Sequence, residues 1–304
     1  MNTYLKTFNG VAAISSIGLD GEEVDQINFL EKPQIYVYPG WLVATASDTL
    51  EKFTCEYKIL NKTSIFTAIG EVLIVKIITY GKVLVAGPSR VNDMAKLIEI
   101  LNNYQLDKII IDGAFSRQIF AKITQATILV IGANYSNNIE KVVKDASLIM
   151  KKFNVEAYED QRFLNKESIC ILYKDNNLVE LEQKTLIGNI EEIFNMDLEH
   201  VRLIYIPKAL TNKFVEKIIE KRDIVKFDIL LDSPTNIQVN DNYLENLFKL
   251  KNKIYVLNPI NVAAVCYNPF SPKGYEFDNF EFKESLQKEL KQKVFNVLKD
   301  GQNE

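Results

Sequence analysis

Short apolar runs alternate with amphipathic segments along almost the whole of this chain, and no other feature restricts its fold as strongly. That alternation is the pattern of an α/β protein with a largely parallel sheet, because a parallel strand is reached only through a crossover, and the crossover is usually a helix. In the first half the spacing predicts strands at Val11–Ile17, Gln34–Val37, Leu42–Ala46, Ser64–Ile69, Val72–Ile78, Lys82–Ala86, Lys108–Ile111 and Thr127–Ile131. Helices are predicted at Val91–Asn103 and Asn137–Phe153. The strands between residues 34 and 86 have no helical spacing between them, which predicts a meander or an antiparallel edge. The second half repeats the alternation, with strands at Ser168–Tyr173, Arg202–Ile206, Phe227–Leu231, Lys253–Leu257 and Val262–Tyr267. Its helices are predicted at Asn212–Lys221, Asp241–Phe248 and Glu281–Leu298.

A length of 304 residues suits two domains of ordinary size. "KKFNVEAYEDQRF" (151–163) lacks an apolar period, so the predicted division is a first domain over 1–155 and a second α/β domain over 156–304. With 47% hydrophobic and 25% charged residues, the chain can bury a core and does not read as disordered.

The same composition excludes several kinds of function. The net charge is −4 and the basic residues are dispersed, so no electrostatic footprint for nucleic acid is formed. No apolar run is long enough to span a membrane, and the N-terminal residues show no signal-peptide pattern. Cys55, Cys170 and Cys266 stand far apart with no CxxC pair, a reduced, cytosolic usage. His200 is the only histidine, so a zinc site, a Ser-His-Asp triad or a Cys-His pair has almost no material. Chemistry here must rest on carboxylates, Lys or Arg, hydroxyls and backbone groups.

"LDKIIIDGAFSR" (106–117) carries the most information. An apolar run leading straight into Asp112 places a carboxylate at the carboxyl end of a buried parallel strand, where open α/β sheets bind ligands. There it can hold Mg²⁺, which prefers oxygen ligands and keeps part of its water shell. An Asp-Gly pair also simply starts turns. Arg117 is a phosphate contact or a surface ion pair. "SIGLDGEE" (16–23) supplies Asp20 as a second carboxylate beside a strand end, while Glu22, Glu23 and Asp25 read as solvated. "VAGPSRVNDMAKL" (85–97) reads as strand, Gly-Pro turn and helix, with Ser89 as the N-cap; a helix N-terminus is an anion site, but capping alone explains a serine there. "ILVIGANYSNNIEKVV" (128–143) repeats the arrangement, with Gly132 in the turn and Ser136 capping. Four such strand ends in one domain predict a shared site.

A phosphate-gripping P-loop needs Gly, four residues, then Gly-Lys-Ser/Thr, and the sequence carries no such run. Gly81-Lys82 has the wrong neighbours and leads into a strand. "MNTYLKTFNGV" reads as the later part of a helix followed directly by a strand.

"ISSIGLDGEEVD", "ATA" (44–46), "AGPSR", "IIIDGAFSR", "ILVIGAN", "PKALTNKF" (207–214) and "YNPFSPKGYEFD" (267–278) fall in an order that resembles one family. It is the smaller reactivase subunits of adenosylcobalamin-dependent lysine 5,6-aminomutase, whose relatives accompany D-ornithine 4,5-aminomutase. The resemblance covers nearly the whole chain. It implies a P-loop-NTPase-like, mostly parallel sheet, here lacking the P-loop, followed by the second α/β domain. In that family a strand and P-loop precede the helix that aligns with Asn2–Phe8. Either nucleotide binding is lost here, or a reading frame upstream of Met1 encodes the missing unit. The resemblance implies a chaperone-like role in amino-acid fermentation. A reactivase opens an aminomutase that has lost its radical and releases the damaged cobalamin, with ATP and Mg²⁺ driving the cycle. The implied partners are the aminomutase and a larger actin-like ATPase subunit; homo-oligomerisation stays open. Asp20, Asp112, Ser89 and Arg117 are then the nucleotide and Mg²⁺ candidates.

Two other functions fit the residues: an ATP-dependent ligase or kinase of dethiobiotin-synthetase-like type, and a non-catalytic scaffold with a degenerate nucleotide fold. Finally, Phe270 and Tyr275 lie on a Pro-rich loop that Pro269 and Pro272 hold extended. They form a partner interface or close the second domain's own core.

Overall fold

A computed structural model describes residues 8–20, 35–113, 120–188 and 190–296. They form a mixed α/β protein whose contacts divide into two compact units, one up to Ile123 and one from Thr124 to Asn296.

The first unit is built on a five-stranded sheet. Its strands are β1 (Ala12–Ser16), β3 (Leu42–Ala46), β4 (Tyr57–Thr67), β5 (Gly70–Ile77) and β7 (Lys108–Asp112), in the order β4-β5-β3-β1-β7. β1 pairs in parallel with β3 and β7, while β5 runs antiparallel to both β3 and β4. The antiparallel edge predicted for residues 34–86 is therefore present. β4 extends well before the predicted Ser64–Ile69 because two register breaks interrupt its apolar alternation, with Ser64 at φ 57°. A separate antiparallel pair joins β2 (Ile35–Val37) to β6 (Gly81–Val83).

Helix α1 (Val91–Leu101) covers one face of the large sheet. It buries Met94, Leu97 and Leu101, spaced as one helical stripe, against Ala13, Ala44 and Ile74. The small side chains at Ala13 and Ala44 let the helix approach the sheet closely. The opposite face packs Ala12, Ile14, Val43, Val75 and Ile77 around Trp41.

The second unit holds two sheets. β8 (Thr127–Gly132), β15 (Val262–Asn268) and β16 (Val294–Phe295) form a parallel three-stranded sheet in the order β8-β15-β16. The other sheet has six strands. They are β9 (Glu156–Ala157), β10 (Cys170–Tyr173), β11 (Leu178–Glu180), β12 (Val201–Ile206), β13 (Asp228–Leu231) and β14 (Ile254–Val256). Their order is β9-β14-β13-β12-β10-β11, with only β10 and β11 antiparallel to their neighbours. Helices α3 (Ile190–Phe194), α4 (Asn212–Glu220) and α5 (Asp241–Lys249) pack into one core with alternate residues of β12 and β13. On the other face Phe163, Leu203, Tyr205 and Leu230 form a smaller, more aromatic core.

The predicted boundary at 155/156 is not where the contacts divide. Helix α2 (Ile139–Phe153) is buried on more than one side. Val142, Val143, Ala146 and Met150 pack with Phe282 and Leu286 of α6 (Asn279–Glu289), while Leu148 joins the core under the six-stranded sheet. β8 draws all its pairing from β15, so residues 124–155 cannot leave the second unit without breaking both contacts. The predicted helix Glu281–Leu298 is corrected likewise. Phe282, Leu286, Leu290 and Val294 are all buried at helical spacing, but α6 ends at Glu289, and Val294–Phe295 pairs instead with Val265–Cys266. Among the described residues, no helix is long and apolar enough to cross a membrane.

Candidate functional site

The carboxyl ends of β3, β1 and β7 lie side by side. Four buried hydroxyls there tie the strand ends together, and two of them, those of Ser16 and Thr45, hold the backbone of the turn that enters α1. Ser16 is in register with Asp112, and the Ile17 N–H donates to the Asp112 carbonyl at 2.8 Å. The Ser16 hydroxyl lies 2.9 Å from the Val85 carbonyl and accepts from the Gly87 N–H at 3.3 Å. That N–H also reaches the Gly18 carbonyl at 3.0 Å. The Ser15 hydroxyl donates to the Ala44 carbonyl at 2.9 Å. Thr45 accepts from the Ala86 N–H at 2.9 Å and shares a 2.7 Å bond with Thr49, whose hydroxyl lies 2.8 Å from the Ala46 carbonyl. These side chains are essentially inaccessible to solvent, so each bond replaces one that water would otherwise supply.

Gly87 is required by this geometry. A Cβ there would overlap the Ser16 carbonyl oxygen and stand 2.6 Å from the Ser15 hydroxyl. The turn therefore lies against β1 only because residue 87 has no side chain.

The predicted residues fall into place unevenly. Asp112 ends β7 and is half-buried at this edge. Leu19–Asp20 pairs antiparallel with Val85–Ala86, so the backbone of Asp20 belongs to the same edge. Arg117 lies outside the described residues. Ser89 is exposed but is not the N-cap; that position is Arg90, also exposed, and no side chain caps α1. The correction has a simple origin: the helix starts one residue later than the Gly-Pro turn suggests, so the serine lies outside it. Asp93 in the first turn of α1 already offsets part of the helix dipole.

The fourth predicted strand end does not join this site. Gly132 ends β8 in the second unit, and the cap of α2 is Asn138, which accepts from the Lys141 N–H at 2.9 Å; Ser136 only supports Asn138.

Among the described residues no three His, Cys, Asp or Glu side chains gather as a metal cage.

Phe270 and Tyr275 have different roles. Phe270–Ser271 pairs with Tyr275–Glu276 in a two-residue antiparallel ladder, so the Pro-rich loop forms a small hairpin of its own. Tyr275 is half-buried, and its hydroxyl donates to the Ala133 carbonyl at 2.6 Å. Its ring lies near Phe277, which packs edge-on against Phe282 in the unit's core. Phe270 remains 44% exposed.

One strand end escaped the sequence reading. β13 runs straight into Asp232, and Asn258, which follows β14, donates its side-chain amide to the Asp232 carboxylate at 2.9 Å. The Asn258 N–H also donates to the Asp232 carbonyl at 2.8 Å. Burial, and then the Asp232 charge, push the pKa of the inaccessible Tyr205 phenol upward. The signal was available, since "DILLDSP" repeats the form of "KIIIDGA".

Comparison with protein-family models, with curated proteins and with solved structures gives no match.

Proposed function

We propose that this chain is the smaller subunit of a reactivating factor for an adenosylcobalamin-dependent amino-acid aminomutase. One observation carries the reading. Four of the segments on which the family resemblance rests, "ISSIG", "ATA", "AGPSR" and "IIIDG", are scattered between residues 14 and 113, yet they meet at one edge of the first unit's sheet. Separate segments that converge on the carboxyl ends of parallel strands support a nucleotide-type edge rather than scattered turns.

On this reading the first unit is a P-loop-NTPase-like sheet without its phosphate loop. Asp112, with Asp20 on the neighbouring ladder, supplies the acidic groups toward Mg²⁺, and Arg90 and Ser89 stand at the helix entrance. ATP is turned over chiefly on the larger actin-like subunit, and this chain couples that cycle to the aminomutase through protein contacts, with Phe270 as an exposed aromatic at the contact. The ligase or kinase alternative requires this chain to grip the phosphates itself, and the sequence carries no P-loop for that.

Capture tests the proposal. Immobilised chain, incubated with purified lysine 5,6-aminomutase or D-ornithine 4,5-aminomutase carrying hydroxocobalamin, should retain the aminomutase and more of it with the larger subunit and Mg-ATP present. Retention of neither aminomutase under any nucleotide condition would overturn it.

A further inference from the structure

The hairpin that carries Phe270 leads directly into α6, and the two elements expose a second aromatic ring. Phe282 and Leu286 face the unit's core, and Phe280 stands two residues before Phe282, about 200° away around the helix. Its ring is therefore turned outward and is 73% exposed. Phe270 is turned outward in the same way. In the short ladder Ser271 and Tyr275 are the inward pair, so Phe270 and its partner Glu276 form the outward one. The Phe277 N–H donates to the Pro269 carbonyl at 2.9 Å, which holds residue 270 beside the entrance to α6, and Phe280 lies in that helix's first turn. The two rings thus belong to one stretch of surface.

Neither ring is needed by the fold. Asp278 caps α6, its carboxylate accepting from the Glu281 N–H at 2.8 Å, and the core beneath is filled by Phe277 and Phe282 packed edge-on. Single exposed apolar residues are ordinary on a protein surface, but two phenylalanines on one short stretch mark a contact.

The rim of that stretch is acidic. Residues 270–289 carry five carboxylates against three lysines, Lys273, Lys283 and Lys288. Glu276 stands opposite Phe270, Glu281 follows Phe280, and Glu284 lies one turn further along α6. Among the described residues none of these charged groups makes an ion pair, so the excess is not offset by another part of the unit.

We propose that Phe270 and Phe280 together anchor this chain on the aminomutase, and that the face they enter is an apolar recess with a basic rim. The rings supply large contact area at low entropy cost, and the carboxylates around them select a partner of opposite sign. A second copy of this chain would bring the same carboxylates face to face, and an anionic lipid surface would be repelled by them. The inference rests on the reading of this chain as a reactivase subunit, and adds to it the second ring and the charge of the partner's face.

Binding of the full chain and its variants to the aminomutase carrying hydroxocobalamin is followed by surface plasmon resonance, with the larger subunit and Mg-ATP present and melting measured in parallel. Phe280→Ala should weaken binding about tenfold or more, chiefly through faster dissociation, with an unchanged melting temperature. Ile224→Ala, which trims another exposed apolar residue of the second unit, should bind like the wild type. The double variant Glu276→Lys, Glu284→Lys should slow association about tenfold in about 50 mM salt, and the difference should shrink in about 300 mM salt. If the wild type is captured, equal binding by Phe280→Ala, or equal or faster association of the double variant, would overturn this inference and leave the reactivase reading standing. A Phe280→Ala protein that melts several degrees lower would show that the ring packs within the unit, which also overturns it. No capture of the wild type would overturn the reading itself, and the inference with it.

Discussion

Replacing Gly87 by alanine tests the geometry of the first unit's strand edge most severely. The added methyl would overlap the Ser16 carbonyl oxygen, a backbone atom at the buried end of β1 that cannot rotate aside. Either β1 or the turn must move. Moving the turn stretches the Gly87–Gly18 bond of 3.0 Å and the Ser16–Val85 bond of 2.9 Å. Overpacking of this kind costs about 1–3 kcal/mol, and each weakened buried bond about 0.5–1.5 kcal/mol. The expected loss is about 2–5 kcal/mol, which would lower the first unit's melting temperature by on the order of 10 °C. Gly132→Ala is the matched control, because its nearest neighbour would be the Asn268 carbonyl oxygen at an ordinary 3.6 Å. Scanning calorimetry should show the large shift for Gly87→Ala and a change within about 0.5 kcal/mol for Gly132→Ala. Hydrogen exchange should place the loss in β1 and the 85–90 turn. Superimposable transitions for Gly87→Ala and the wild type would refute the reasoning.

The remaining predictions concern binding, the hairpin and pH. The chain alone should bind Mg-ATP only weakly, since the sequence lacks the loop whose N–H groups and lysine grip the phosphates; a micromolar affinity by calorimetry would contradict this. Phe270→Ser should melt like the wild type yet lose aminomutase capture, whereas Tyr275→Phe should cost about 1 kcal/mol through its lost bond to Ala133. Equal capture by Phe270→Ser and the wild type would remove Phe270 from the interface. Burial pushes the Cys170 thiol from 9.0 up to about 11. Over that range the unfolded chain releases a proton that the folded chain keeps, so this group's contribution to stability falls as pH rises. Urea midpoints between pH 8 and pH 11 should therefore drop less steeply in Cys170→Ala than in the wild type; parallel curves would show that the thiol does not contribute.

The sequence made the strands of the sheet centres legible, because β1, β3, β12 and β13 are short, mostly apolar runs bounded by turns. Residues such as Asp112 could be placed because a carboxylate straight after an apolar run falls at the strand's end, although β7 is a half-buried edge strand and not the buried one that the run predicts. What stayed hidden depends on contacts between distant residues. The helical spacing of Phe282, Leu286, Leu290 and Val294 is real, but pairing of Val294 with Val265 outweighs continuation of the helix. Gly132 looked like a member of the first unit's site because its local pattern matches, and only the long-range pairing of β8 with β15 assigns it elsewhere. Ser89 lies one residue before the cap of α1, because no local pattern separates a serine that caps from one in the turn leading to the cap. Tyr275 and Phe270 sit on one short hairpin, and no local pattern distinguishes the ring that reaches Ala133 from the ring that faces solvent.

The central claim is that this chain helps an aminomutase discard damaged cofactor. The most direct measurement follows the absorbance of hydroxocobalamin bound to lysine 5,6-aminomutase, separated from free cobalamin by rapid filtration. The reaction contains the aminomutase, the larger ATPase subunit and Mg-ATP, with and without this chain. The account predicts that cobalamin is released, and activity restored by fresh adenosylcobalamin, only when this chain is present. Release at the same rate without it, for both this aminomutase and D-ornithine 4,5-aminomutase, would contradict the account.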